Sequence, residues 1–176
     1  PNGNLLTVTD PLGNTPTYAY DALNRKISTT DPLGNTYVNS YDPVGNLLSI
    51  TDPLGNSTVY TYDALDQLIS VTDALGGVVG YTYDAVGNRI GMLDANGHST
   101  GFSYDALGQL TGETDPLDNL TSHSYDCNGN RASTTDGNGD TRSYSYDALN
   151  RLEGITYAGG GSISYAYDPV GNRLSL

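Results

Sequence analysis

No tryptophan occurs in this chain of 176 residues, and phenylalanine, methionine and cysteine appear once each. Leu, Ile, Val and Phe together number only 36. That shortage of large apolar side chains excludes a thick two-layer core and favours a thin, single-sheet structure. The lone Cys127 excludes an internal disulfide framework and matches no metal-ligand spacing. Basic residues are scarce as well: seven Lys and Arg stand against twenty Asp and Glu, giving a net charge of -13. With no basic cluster, the chain lacks the electrostatic footprint of a nucleic-acid binder. Neither a signal peptide nor an apolar run of membrane-spanning length is present, so no membrane insertion is expected. High net charge with low apolar content borders on the composition of disordered chains. Order must therefore come from something other than bulk hydrophobicity.

What is abundant is tyrosine, 15 residues, and glycine, 22 residues, both distributed with a strict period. Tyr-Asp pairs begin at Tyr20, Tyr41, Tyr62, Tyr83, Tyr104, Tyr125, Tyr146 and Tyr167, always 21 residues apart. Between them runs a second column, Asp10, Asp31, Asp52, Asp73, Asp94, Asp115 and Asp136, which fails only at Tyr157. Each Asp opens a segment such as DPLG, DALN or DPVG. These are type I turn sequences, in which Asp accepts backbone N–H bonds, Pro presets φ at the second position, and Gly or Asn tolerates left-handed geometry at the fourth. Sixteen turns spaced alternately 11 and 10 residues apart leave room for one strand between each pair.

The connecting segments alternate as strands do, so Tyr18 shares a face with Tyr20, Tyr60 with Tyr62, and Tyr144 with Tyr146, while Thr, Ser, Ala or Gly occupies the opposite face. The intervening strands, such as Asn46 to Thr51, are partly apolar on both faces, with Leu48 and Ile50 on one and Leu47 with Ser49 on the other. Reversals this short dictate an antiparallel meander. The fold class expected is therefore all-β: tandem 21-residue β-hairpin repeats, eight in a single array over residues 1–176 and cut inside a repeat at both ends, forming one continuous antiparallel sheet. A flat ribbon of sixteen strands is unfavourable, so the sheet is expected to coil into a spiral, tube or shell. Same-face tyrosines should be largely shielded from water, with Tyr83→Ala costing a few kcal/mol.

The strings YDALGQL and YDPVGNLLSITDPLGNSTVYTYDALDQL, in register over essentially the whole chain, resemble the Rhs (rearrangement hotspot) or YD repeat. The resemblance implies a long sheet spiralling into a hollow shell, as in bacterial toxin complexes, polymorphic toxins and the animal teneurins, with the shell often enclosing a toxic C-terminal segment. Neither the core segment that follows the repeats in encapsulating members nor a toxin domain is visible, so the resemblance implies the wall and not its cargo. The family's Gly-Arg-Leu consensus has drifted to Gly45-Asn46-Leu47, Gly108-Gln109-Leu110 and Asn150-Arg151-Leu152.

Few residues invite a catalytic reading. His98 and His123 stand singly in different repeats, and 15 of the 20 acidic residues open turns. No catalytic, cofactor-binding or metal residues are assigned. The strongest metal candidate, Asp136-Gly137-Asn138-Gly139-Asp140, has the start of a calcium loop but lacks the distal Glu and aligns with an ordinary turn. Asn56-Ser57-Thr58 and Asn119-Leu120-Thr121 match the glycosylation sequon.

One feature exceeds what turns require. The third turn position is Leu or Val in 12 of 16 cases, and on the Tyr-Asp edge the row runs Leu23, Val44, Leu65, Val86, Leu107, Leu149, Val170, interrupted by Asn128. Either each side chain folds back on its own hairpin, or the row packs against another wrap or another chain. The expected role is a non-catalytic, extracellular or cell-surface scaffold that self-associates into a tube, filament or shell wall. The alternatives are a cocoon around a bacterial toxin domain and an adhesion or glycan-binding module.

Overall fold

The computed structural model describes residues 3–174. Among them the chain forms fifteen β-strands and no helix, and each strand is hydrogen-bonded to its sequence neighbours in simple chain order. Strands β1 (Thr17–Tyr20), β2 (Lys26–Thr30), β3 (Thr36–Tyr41) and β4 (Leu47–Thr51) set the pattern, which continues to β13 (Thr141–Tyr146), β14 (Leu152–Tyr157) and β15 (Ser162–Ser164). The sixteen turns bound seventeen segments rather than the sixteen strands expected, and the two outermost, each with a neighbour on one side only, make just the isolated bridges Thr7 to Thr17 and Tyr167 to Arg173, leaving fifteen strands. By its contacts the chain divides into two compact units: residues up to Tyr81 with Leu93–Gly97, and Thr82–Met92 with residues from His98 on. Each is built in the same way.

All sixteen turns have one geometry. In the first, the Gly13 N–H donates to the Asp10 carbonyl at 2.9 Å and the Asp10 N–H to the Asn14 carbonyl at 3.0 Å, closing a type I turn followed by a left-handed residue. Glycine fills that fourth position in most turns, for example Gly55 at φ +87; Asn24, Asp66, Asp118 and Asn150 take it at φ 63, 61, 64 and 59, as their short polar side chains permit. The turn survives even where its Asp is lost. Tyr157 keeps both bonds, from Gly160 at 2.9 Å and to Gly161 at 2.8 Å.

An odd repeat poses a problem for a pleated sheet, because successive side chains alternate faces and a shift of one residue exchanges them. The register shows the solution. In the first hairpin Tyr20 pairs with Lys26 but Ala19 with Ser28, leaving Ile27 as a bulge. The same break recurs between Ser40 and Tyr41, Thr61 and Tyr62, Ser124 and Tyr125, and Ser145 and Tyr146. The bulged strand thus contributes two residues against one. Thr17 consequently faces Thr30, and Thr30 faces Thr36, so lateral neighbours two strands apart lie 19 residues apart in sequence while the repeat is 21. Equivalent residues therefore step two places along the strand per repeat and remain on one face; without the bulge they would alternate faces. Gly101, Thr114 and Leu120 show the same step in the second unit. Two residues, about 6.8 Å, against about 9.6 Å for two strands incline the line of equivalent positions by roughly 35°.

One face carries the tyrosines. Tyr60 and Tyr62 are half-buried while Thr61 between them is exposed, and the same alternation holds at Tyr144, Ser145 and Tyr146. The other face is lined by paired hydroxyls: Ser40 with Ser49 at 2.7 Å, Thr51 with Ser57 at 2.8 Å, and Ser124 with Ser133 at 2.7 Å. Leu48, one of the residues that makes β4 apolar on both sides, sits at the bulge and is partly exposed. No large side chain among the described residues is fully buried. The shielding expected of the tyrosines is accordingly partial: Tyr37 is 49% exposed and the Tyr-Asp tyrosines are half-buried, because a single sheet covers each ring from the side but not from above.

Candidate assembly surface

The edges of the sheet are built from aspartate-capped turns. In the turn at Asp31, Oδ1 accepts the N–H groups of Leu33 at 2.9 Å and Asn35 at 2.8 Å, and Oδ2 accepts the Asn35 side-chain amide at 2.7 Å. The same set recurs at Asp10, Asp52, Asp115 and Asp168. At Asp21 and Asp147 an arginine replaces the amide, with Arg25 Nε 2.6 Å from Asp21 Oδ2 and Arg151 Nη2 2.7 Å from Asp147 Oδ2. These donors stabilise the ionised form. The Asn35 side chain and then the backbone hold the Asp31 carboxyl below the ordinary aspartate range, and the backbone N–H of Arg25, followed by its side chain, does the same for Asp21.

The Tyr-Asp tyrosines join one repeat to the next. Beyond the bulge the ladder between repeats stops: β2 and β3 pair at Ser28–Val38, Thr29–Tyr37 and Thr30–Thr36 only. The Tyr41 hydroxyl then donates to the Lys26 carbonyl at 3.1 Å. Tyr62, Tyr104, Tyr125, Tyr146 and Tyr167 make the same bond to Leu47, Arg89, Leu110, Arg131 and Leu152, each fifteen residues back, at 2.8–3.0 Å. A carbonyl left without a ladder partner by the bulge is thereby satisfied. Burial pushes the Tyr62 and Tyr146 hydroxyls above the usual tyrosine range, so both stay protonated donors. Cations cover the rings: Arg25 lies 4.9 Å from the Tyr41 ring centre, Arg89 5.0 Å from Phe102 and Arg151 4.5 Å from Tyr167. On the same edge, amides bridge successive turns, from Asn46 to Asp66 at 2.7 Å and from Asn130 to Asn150 at 2.8 Å.

Outside these stitches stand the turn tips. Leu65 is 73% exposed, Leu107 83%, and Leu75 on the opposite edge 98%. Folding back onto the parent hairpin is overturned, because the third residue of a type I turn points away from the strands that follow. Leu12, Leu33, Leu54 and Leu117 project in the same manner, so the second edge is fringed as well as the Tyr-Asp edge.

Each residue singled out in the sequence has a place in this frame. His98 takes the fifth position of the Asp94 turn, and His123 replaces a tyrosine in its column, half-buried with Nδ1 3.1 Å from Thr134 Oγ1. Burial, then the neighbouring Arg131, lowers the His123 pKa. Exposed Cys127 is the second residue of a turn. Asp136, Asn138 and Asp140 form a turn like the others: Asp136 Oδ1 is taken by the N–H groups of Asn138 at 3.0 Å and Asp140 at 3.1 Å. Among the described residues no group of three or more His, Cys, Asp or Glu is arranged to hold a metal. The side-chain amides of Asn56 and Asn119, the nitrogens a glycan would need, donate to Asp52 and Asp115 at 2.8 Å. Two features had not been read from the sequence: the bulge, signalled by the odd period, and the tyrosine hydroxyl bond, for which sequence offers only the fixed spacing of fifteen.

Among solved structures the chain is similar to that of TcdB2-TccC3-Cdc42, at 20% identity over 98% of this chain and 12% of that one, with a TM-score of 0.59. It is also similar to the Photorhabdus luminescens Tc holotoxin pore, at 20% identity over 97% of this chain and 11% of that one, with a TM-score of 0.57. The chain thus spans about an eighth of the length of these relatives, and the likeness is one of fold. No curated protein sequence matches it. The RHS Repeat family model matches residues 1–36, 41–78, 62–99, 83–120 and 125–162, which together take in most of the sequence. With the same unit recurring in sequence, turn and bulge, the chain belongs to the RHS repeat family.

Proposed function

We propose that this chain is a non-catalytic stretch of an extracellular wall, one sheet thick, that winds into a tube or shell. The observation that carries this reading is the two-residue step per repeat. A stagger of this size, recurring within both units, gives strands the inclination, roughly 35–45°, that closed sheets require, and it matches a wall that wraps round an axis. The exposed Leu and Val tips supply the contact between successive wraps or neighbouring chains. A cocoon around toxin cargo is the form favoured by the toxin complexes among the similar folds.

Charge opposes that contact, because aspartates recur about every 12 Å along each edge, the diagonal of the lateral and axial steps, near the Debye length of about 10 Å at 0.1 M salt. Association of the chain, followed by light scattering, should therefore rise between low and moderate salt. Changing Leu65 and Leu107 together to Asn should reduce the rise while leaving the β signal intact. A monodisperse monomer for the unmodified chain at both salt levels would contradict the lateral-contact reading.

A further inference from the structure

Apart from Glu113 and Glu153, which lie in strands, every acidic side chain belongs to a turn, so the charge of the sheet is carried on its two edges. Each edge has nine aspartates. The cations are divided differently: Arg25, Lys26, Arg89, Arg131, Arg151 and Arg173 all follow directly on Tyr-Asp turns, whereas the opposite edge has Arg142 alone. The net charge is therefore -3 on the Tyr-Asp edge and -8 on the other. The same inequality holds within each compact unit taken by itself.

These cations can serve a second surface. Lys26, Arg89, Arg131 and Arg173 are exposed. Arg25 is bonded to Asp21 Oδ2 through Nε and to the Asp42 carbonyl through Nη1, yet its guanidinium has five N–H donors and keeps others for an incoming acceptor. Both edges also present the same apolar fringe, with Leu65 and Leu107 on the one and Leu54 and Leu75 on the other, all exposed. Tips about 12 Å apart leave room for a facing tip midway, about 6 Å from each neighbour, which is side-chain contact. An assembly that uses both edges can join unlike edges throughout, or join like to like in alternation. Joining like to like sets two edges of charge -8 against each other, with Arg142 the sole cation on each. Joining unlike edges gives every acidic edge a facing row with six cations, so the second arrangement carries the greater repulsion.

We propose that the Tyr-Asp edge is a docking surface for the opposite edge of a second copy of this chain, with the apolar tips interleaved and the arginines and lysine of one copy facing the aspartates of the next. This rests on the lateral-contact reading above and adds to it the identity of the facing edge and a polarity. Unlike edges joined head to tail make an open assembly that grows, not a closed pair. Two capped forms of the whole chain test it by sedimentation velocity at moderate salt. In one, the seven Leu and Val tips of the Tyr-Asp edge are changed to Asn; in the other, Leu12, Leu33, Leu54, Leu75 and Leu117 of the opposite edge are. Asn96, Asn128 and Asn138 already occupy this turn position, and circular dichroism checks that both forms fold. The expected result is multimers for the unmodified chain, monomers for each capped form alone, and one-to-one dimers for their equimolar mixture. Adding Lys26→Gln and Arg131→Gln to the form whose Tyr-Asp edge is intact should weaken that dimer about tenfold or more. Either capped form dimerising alone, a mixture that stays monomeric while the unmodified chain associates, or an unchanged dimer without the two cations would overturn the proposal and leave lateral contact standing. A monomeric unmodified chain would contradict both.

Discussion

Acid should leave the array intact from neutrality to about pH 5 and then unfold it steeply below the ordinary aspartate pKa. Ten turn aspartates are held below the reference value of 3.8: seven of them, among them Asp10, Asp52, Asp84, Asp126 and Asp168, chiefly by the asparagine amide four residues on, and Asp21 and Asp147 chiefly by the backbone N–H of Arg25 and Arg151. At Asp42 burial acts in the opposite direction, and the bonds from Asn46, Gly45 and Val44 outweigh it. A carboxyl with a depressed folded pKa contributes stability that is complete above its unfolded pKa and vanishes as pH falls through its folded one. Here the same change strikes ten turns spread along the array, so individually modest effects act in concert. Protonation therefore has two consequences of opposite sign: it relieves repulsion between edges and removes the caps that shape them. Circular dichroism against pH separates these effects. Loss of β structure beginning well above pH 5 would contradict the capping account.

Removing the Tyr125 side chain should destabilise the second unit by about 3 kcal/mol, and removing its hydroxyl alone by about 1 kcal/mol. The ring is half-buried and its hydroxyl donates to the Leu110 carbonyl at 2.8 Å, where the ladder between repeats has ended. Tyr125→Phe leaves that carbonyl to water, whereas Tyr125→Ala also forfeits the ring's packing across two strands. Urea denaturation of both variants measures the two losses. Equal losses would mean that the hydroxyl bond dominates; no loss for Phe would mean that water replaces the bond at no cost.

The turns were legible because their determinants are local: Asp10 and Gly13 fix the reversal through bonds within five residues. Alternation placed Tyr60 and Tyr62 on one face for the same reason. The bulge at Ile27 was not anticipated, although an odd period of 21 demands an odd slip per repeat if Tyr20 and Tyr41 are to share a face. Leu65 was harder, since a turn leucine reads alike in sequence whether it folds back or projects, and only backbone direction decides. The gap in the Asp column at Tyr157 was plain in the sequence, whereas only the fold brings Asp140 and Arg142 beside it. Partial exposure of the tyrosines follows from having one sheet layer, a consequence of the same apolar shortage that excluded a thick core.

The claim that most needs direct measurement is that a stagger of two residues per repeat builds a wall. Electron cryo-microscopy of the protein tests it. The account predicts a wall one sheet thick, strands about 4.8 Å apart, and equivalent tyrosines rising along a line inclined roughly 35° to the lateral direction. Separate blades arranged about a channel, two sheets packed face to face, or equivalent tyrosines in unstaggered lateral register would contradict it.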